Sequence, residues 1–214
     1  MGGAEIPGIK VLLSLVMITA LAACSTEEPT PSPSHDLAEP WQAEPFAIDQ
    51  ETISAAAEAC RHAQAAQIGQ VGPALPPLVA VDARGANTVI VAFAQPGFSA
   101  DCTLVRAPDG HFDMVGGGSA MGIDEHQPLG SRDVRSNGWG STSFGGGGQP
   151  ATYMIGRAGT EIAKVEIVVP PGQRVRASLT SAGWFVAWWP GDTTNAKLMI
   201  NGYDAFGTLV AQGS

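Results

Sequence analysis

Polar and apolar positions alternate most regularly towards the C-terminal end of the chain. Over Glu161–Val169, Ala163, Val165, Ile167 and Val169 fall on one side, with Lys164 and Glu166 on the other. Over Gln173–Thr180, Val175, Ala177 and Leu179 oppose Arg174, Arg176 and Ser178. A period of two belongs to a strand with one buried face and one wet face. Pro170-Pro171-Gly172 joins the two runs, and this register sets Glu166 opposite Arg176, a favourable cross-strand pair. Further strands are predicted at Ala151–Gly156, Trp184–Trp189, Ala196–Tyr203 and Gly207–Gln212. Turns are predicted at Arg157–Gly159, Ser181–Gly183, Pro190–Thr193 and Asp204–Phe206. Residues 151–214 are expected to form an antiparallel β-meander, curled into a sandwich or partial barrel.

A helical period appears once, from Asp49 to about Gln67. Ile53, Ala56, Ala57, Cys60 and Ala63 share one face, Asp49 can cap the first turn, and Glu51 suits its dipole. Gly69, Gly72 and Pro73 end it. Hairpins follow. Leu78–Ala83 and Asn87–Ala94 are apolar, β-branched runs joined through Arg84-Gly85, and Asp101–Ala107 and His111–Val115 flank the turn Pro108-Asp109-Gly110. Residues 49–115 therefore read as a helix plus β-hairpins. The expected fold is mainly β (α+β), with one N-terminal helix packed on antiparallel sheets. Residues 116–150 break this pattern: Gly116-Gly117-Gly118 and Gly145–Gly148 enclose few apolar residues beyond Met121, Leu129, Val134, Trp139 and Phe144. They read as a Gly-rich flexible loop, of a length that inside a compact domain is functional or disordered.

Composition agrees with a β-rich chain. Of 214 residues 14% are charged, against about 25% in average proteins. The net charge of −9 is concentrated in Glu27, Glu28, Asp36, Glu39, Glu44 and Asp49, with no Lys or Arg between Ser25 and Gln50. From Glu51 onward thirteen acidic and ten basic residues leave only −3. No basic footprint for nucleic acid is present.

The apolar run Val11–Ala20 follows Lys10 and closes on Leu21-Ala22-Ala23-Cys24. It is shorter than the ~20 residues of a spanning helix. With its small residues before Cys24, the segment resembles a bacterial lipoprotein signal peptide. The resemblance implies removal of residues 1–23 and a lipid on Cys24, with palmitate among its acyl chains. It also implies attachment to the extracytoplasmic face of the cell membrane. Residues 24–48 then form a lipidated acidic tether, extended by Pro29, Pro31, Pro33, Pro40 and Pro45, with Trp41 and Phe46 placed to dock on the domain. With Cys24 lipidated, Cys60 and Cys102 are an even pair in an oxidising compartment, expected to bridge helix and sheet rather than remain free thiols. Such a bridge closes a loop of about 40 residues and contributes about 4 kcal/mol.

The segment Gly183-Trp184-Phe185-Val186-Ala187-Trp188-Trp189-Pro190-Gly191 resembles the C-terminal part of uncharacterised actinobacterial envelope proteins. That resemblance implies an extracytoplasmic β module and no known activity. Along this strand Trp184, Val186 and Trp188 face one side, and Phe185, Ala187 and Trp189 the other. Either both faces are buried, or one is held available for stacking on sugar rings. Trp139, Trp188 and Trp189 are the candidate ligand-binding residues on the second view. Burial in the core is the competing view, since large aromatics dominate cores.

Motifs for catalysis are incomplete. No P-loop occurs, and Gly138 and Gly140 give only a fragment of a dinucleotide pattern. Ser119 lacks the second glycine of a nucleophile elbow and Ser143 the first. Asp109, His111 and Asp113, with Asp124, Glu125 and His126 nearby, could ligate zinc if an extended strand aligned them. Asp109, however, is needed by the turn. His62 sits on the helix and His35 in the tether. No catalytic residue, metal or cofactor is assigned. The expectation is a lipid-anchored, non-enzymatic binding or structural module at the cell envelope, with an envelope glycan or protein as partner. The alternative is an extracytoplasmic hydrolase or metal-dependent enzyme with its site around residues 116–150.

Overall fold

A computed structural model of the chain describes residues 41–68, 75–85, 87–95, 97–121, 128–143 and 149–214. Cys24 and its motif, the tether up to residue 40, and Asp124, Glu125 and His126 lie outside them. One helix, α1 (Gln50–Ile68), precedes twelve strands among these residues. They are β1 (Leu78–Ala83), β2 (Thr88–Gln95), β3 (Phe98–Arg106), β4 (Phe112–Met121), β5 (Val134–Ser143) and β6 (Pro150–Ala158). The remainder are β7 (Lys164–Val169), β8 (Gln173–Arg176), β9 (Ser178–Leu179), β10 (Trp184–Pro190), β11 (Met199–Tyr203) and β12 (Leu209–Gly213).

The strands form three antiparallel sheets, ordered β1-β2-β3-β4, β5-β6-β10-β9 and β12-β11-β7-β8, none closed into a barrel. Three apolar clusters stack them into layers. Ala56, Ala57 and Cys60 of α1 meet Val89, Val91, Phe93 and Leu104 of the first sheet. The opposite face of that sheet, through Ala80, Ile90, Ala92 and Val105, meets Ala151, Ile155, Val186 and Trp188 of the second. The other face of the second sheet, through Met154, Phe185, Ala187 and Trp189, meets Val165, Ile167, Val175 and Ile200 of the third. The first and second sheets are thus covered on both faces. This explains why β2 is buried from Thr88 to Ala94 and β10 from Phe185 to Trp189: strands covered on both sides need continuous apolar sequence.

The helix forms as its sequence predicts. Asp49 Oδ1 accepts the Thr52 amide at 2.7 Å, completing the N-cap. Cys60 and Cys102 are disulfide-bonded, with Cα atoms 5.8 Å apart. Glu166 does lie opposite Arg176 in the β7–β8 register. The guanidinium that reaches Glu166 is that of Arg174, at 3.3 Å, whereas Arg176 pairs with Glu44 at 3.2 Å.

Two expectations are corrected. Residues 151–214 are not a simple meander: after β6 the chain crosses to the third sheet for β7 and β8, then returns to the second for β9 and β10. The run predicted as one strand over Gln173–Thr180 is therefore split at Ala177, where the chain changes sheets. Period two gives each strand's buried side but not the partner that covers it. Residues 116–150 are not one loop either, because β4 continues to Met121 and β5 occupies Val134–Ser143. Three of their glycines, Gly116, Gly117 and Gly140, are needed by close approach. A Cβ on Gly116 would overlap the Thr142 side chain, one on Gly117 the Asp101 carbonyl, and one on Gly140 would lie 2.8 Å from Tyr153 Oη. As expected, Trp41 and Phe46 at the end of the tether dock on the domain. Trp41 Nε1 donates to the Trp188 carbonyl at 3.1 Å, the Arg176 amide to Ala43 O at 3.0 Å, and the Phe46 amide to Ala83 O at 2.7 Å.

Candidate functional site

The candidate aromatic platform divides. Trp188 is 1% exposed and Trp189 is fully buried, on opposite faces of β10 in two different cores. Neither can stack on a ligand, so both are withdrawn as binding residues. The alternation of aromatic side chains had its bland cause: β10 is sandwiched between two sheets. Trp139, on edge strand β5, is 46% exposed and keeps a free ring surface.

Beyond Trp184 and the turns that close the second sheet lies a cleft of about 340 Å³. Its walls are Leu129, Arg157 to Thr160, Ile162, and the turn Thr180 to Gly183. Three contacts shape it. The amide of Gly159 donates to Asp133 O, that of Ala158 to Gly183 O, and Gly159 approaches the Gly130 carbonyl so closely that a Cβ could not fit. Within the register Arg157 sits between Arg135 on β5 and Trp184 on β10. Its guanidinium carbon lies 5.6 Å from the Trp184 ring centroid, a cation–π arrangement that restrains the side chain. Thr160, Thr180 and Ser181 add hydroxyl groups. At the β6–β7 turn Glu161 holds Ser131 and Arg132, each at 2.7 Å, and the Arg132 bond keeps its carboxyl below the usual range. Such a cleft suits a small anionic or hydroxylated group, which a fixed guanidinium and hydroxyls recognise.

Two carboxyl groups are buried between the first and second sheets. Asp82 is held by Arg84, with Nε–Oδ2 at 2.6 Å and Nη2–Oδ1 at 3.1 Å, and by Ser178 Oγ at 2.6 Å. Burial raises its pKa to about 6 against the pull of the guanidinium. Arg84 also donates to the carbonyls of Gln42, Ala43 and Arg176. One buried cation therefore ties the incoming chain to the corner where β8 becomes β9. The second carboxyl, Asp101 on β3, has no cation among the causes of its shift. Burial raises it to about 7, opposed only by hydrogen bonds from Tyr153 and the Gly118 amide. In turn burial and the Asp101 charge push the Tyr153 phenol up.

The surface cluster predicted from the sequence does converge. His111 Nδ1 contacts Asp109 Oδ1, and Nε2 lies 3.2 Å from Asp113 Oδ1. Asp109 remains in its turn, with Gly110 at φ +94°. Both ring nitrogens are turned to carboxylates, chiefly raising the His111 pKa through the Asp109 bond. Among the described residues no three His, Cys, Asp or Glu side chains form a metal-binding group. His62 is exposed on α1, 3.1 Å from Glu58.

Sequence reasoning missed Arg157, Arg84, Asp82, Asp101 and Tyr153. A faint sign existed for the two carboxylates, which stand at inward positions of otherwise apolar strands. The local pattern puts Arg157 in a turn, and only the pairing of β6 with β5 and β10 gives it Arg135 and Trp184 as neighbours. Compared with family models, curated proteins and solved structures, the chain finds no match in any of the three.

Proposed function

We propose that this chain is a lipid-anchored cell-envelope binding protein. Its lipid is on Cys24, its spacer is residues 25–40, and its folded part offers the Arg157 cleft to a small anionic group of an envelope glycan or peptide. The observation that carries the binding role is the restrained guanidinium of Arg157, stacked on Trp184 at the wall of a 340 Å³ cleft. The hold of Arg84 on Gln42 and Ala43 supports the anchored arrangement, because it ends the spacer at a defined point of the core.

Two measurements test the two halves. Full-length protein produced in a bacterial envelope should partition into the detergent phase, and Cys24→Ala should move it to the aqueous phase; equal partitioning of both would remove the anchor. Calorimetric titration with inorganic phosphate and with glucuronate should show binding that Arg157→Ala weakens at least tenfold. Binding of neither anion, or binding indifferent to Arg157→Ala, would remove the cleft as the site.

The second reading, an extracytoplasmic hydrolase or metal-dependent enzyme around residues 116–150, draws on Asp101 beside Tyr153 in the glycine-lined layer. Asp101 is only 8% exposed, enclosed by two sheets, so this reading ranks second. Hydrolysis of a chromogenic ester, lost in Asp101→Asn, would reverse the order.

A further inference from the structure

The layer between the first and second sheets changes character along its length. At β1, β2 and β10 it is dry and apolar, with Ala80, Ile90, Ala92, Val186 and Trp188. Val105 of β3 and Ala151 and Ile155 of β6 continue this apolar part, but around Asp101 and Thr103 of β3 the layer turns polar and is thinned by Gly116 and Gly118 of β4. The register places Asp101 beside Gly118 and Thr103 beside Gly116. Within the second sheet, on the other side of the layer, Gly140 pairs with Tyr153 and Thr142 with Ala151, and Gly116 of β4 meets the Thr142 side chain. Asp101 Oδ2 and Thr103 Oγ1 are both buried with no hydrogen-bond partner. Such atoms are costly where water is excluded, and more so when one of them carries charge.

We propose that Asp101 is a proton-operated latch between these two sheets. With its carboxyl neutral, the corner formed by β4 and β5 closes over it; with the carboxyl ionised, the corner loosens and admits water. The geometry explains why ionisation is less well compensated here than at the neighbouring Asp82. Asp82 has a guanidinium and a hydroxyl on its oxygens. Facing Asp101 from β6 is the Tyr153 phenol, and from β4 only the Gly118 amide. From α1, on the other face of β3, Gln64 reaches the Asp101 carbonyl and not its carboxyl. β2 offers Ala92 across from it. The other charges of this layer are displaced: Asp82 and Arg84 at β1, Asp113 four places along the β3–β4 register, and Arg135 with Arg157 four residues beyond Tyr153. Among the described residues no cation offsets ionisation there. A pKa raised to about 7 agrees with this geometry. The proton lost passes to solvent water, and the contacts at stake are those of Gly116–Gly118 and Gly140, positions with no side chain to hold the layers together.

The test is amide hydrogen exchange on the full chain in detergent micelles between about pH 5 and pH 8, corrected for intrinsic rates. Protection at Gly116–Gly118 and Gly138–Thr142 should fall by up to about tenfold per pH unit, the limit for one linked proton, and level off above about pH 7. Val165–Val169 of the third sheet should not change and serves as reference. Asp101→Asn should flatten the corner's response. Tyr153→Phe, which keeps the shape and removes a bond to the carboxylate, should move the break to higher pH. A flat wild-type profile at the corner, a slope that survives Asp101→Asn, or a break unmoved by Tyr153→Phe overturns the proposal.

Discussion

Gly116 and Gly140 belong to a stretch whose composition suggests mobility, yet each is enclosed by a facing side chain. The two views predict opposite signs. In a flexible loop Gly→Ala stabilises by about 0.4–1 kcal/mol by restricting the unfolded chain. Where a Cβ collides with Thr142, Gly116→Ala should destabilise by about 1–3 kcal/mol, as overpacking does. Urea denaturation of the single variant reads the sign directly. Arg84 is the other residue whose weight the sequence conceals. Arg84→Met strands the fully buried Asp82 and frees three carbonyls, so a loss of about 3–5 kcal/mol is expected in the same assay. A loss below about 1 kcal/mol would mean that the pair is solvated, contrary to its burial.

At the scale of elements, α1 is attached to the first sheet by small residues and by a covalent bond. Ala56 and Ala57 bury little area compared with Leu or Ile, so the Cys60–Cys102 bridge has a large share in holding the helix down. Reduction should lower stability by about 4 kcal/mol, the loop-closure contribution for a separation of 42 residues. Far-ultraviolet dichroism should show helix lost before sheet; simultaneous loss would argue for tighter packing of α1 than these alanines provide. Residues 41–46 act as a further element without regular structure. Trp41 meets Trp188 edge to face at 6.4 Å and lies under the Arg84 guanidinium. Trimming the chain to begin at Glu51 removes these contacts and should lower the melting temperature, although it leaves every helix and strand but Gln50 in place.

At the scale of the molecule the layers decide what solvent and protons reach. Of the five tryptophans Trp188 and Trp189 are buried, Trp41 and Trp184 half-buried, and Trp139 exposed. Iodide should therefore quench a minor part of the emission, and Trp139→Phe should remove most of that part. The pH dependence follows from three groups with raised pKa values: Asp82 at about 6, Asp101 at about 7, and His111. A raised pKa gives stability that is complete below the unfolded value and lost as pH rises through the folded one. All three act in the same direction. The lowered carboxyls of Asp49, Asp109, Glu161 and Asp192 work the other way, at and below the ordinary carboxylate range of about 4. The melting temperature should fall between about pH 5 and pH 8, and Asp101→Asn should recover part of that fall.

Local patterns were enough for the helix with its Asp49 cap, the disulfide pair, most strand positions, the buried side of β7 and β8, and the opposition of Glu166 and Arg176. Each depends on neighbours in sequence or on a single period, which a linear chain displays. The tertiary structure alone decided which sheet covers which. It turned Trp188 and Trp189 into core, made strand of the Gly116–Gly118 run that looks like loop, and sent the chain to another sheet at Ala177. It also gathered Arg157, restrained by Trp184, and the turn residues Thr160, Thr180 and Ser181 around one cleft. Hydrophobic burial has no direction, so a strand's apolar face specifies that it must be covered and not by what. Close approach between sheets likewise needs glycine at positions that only the assembled layers define.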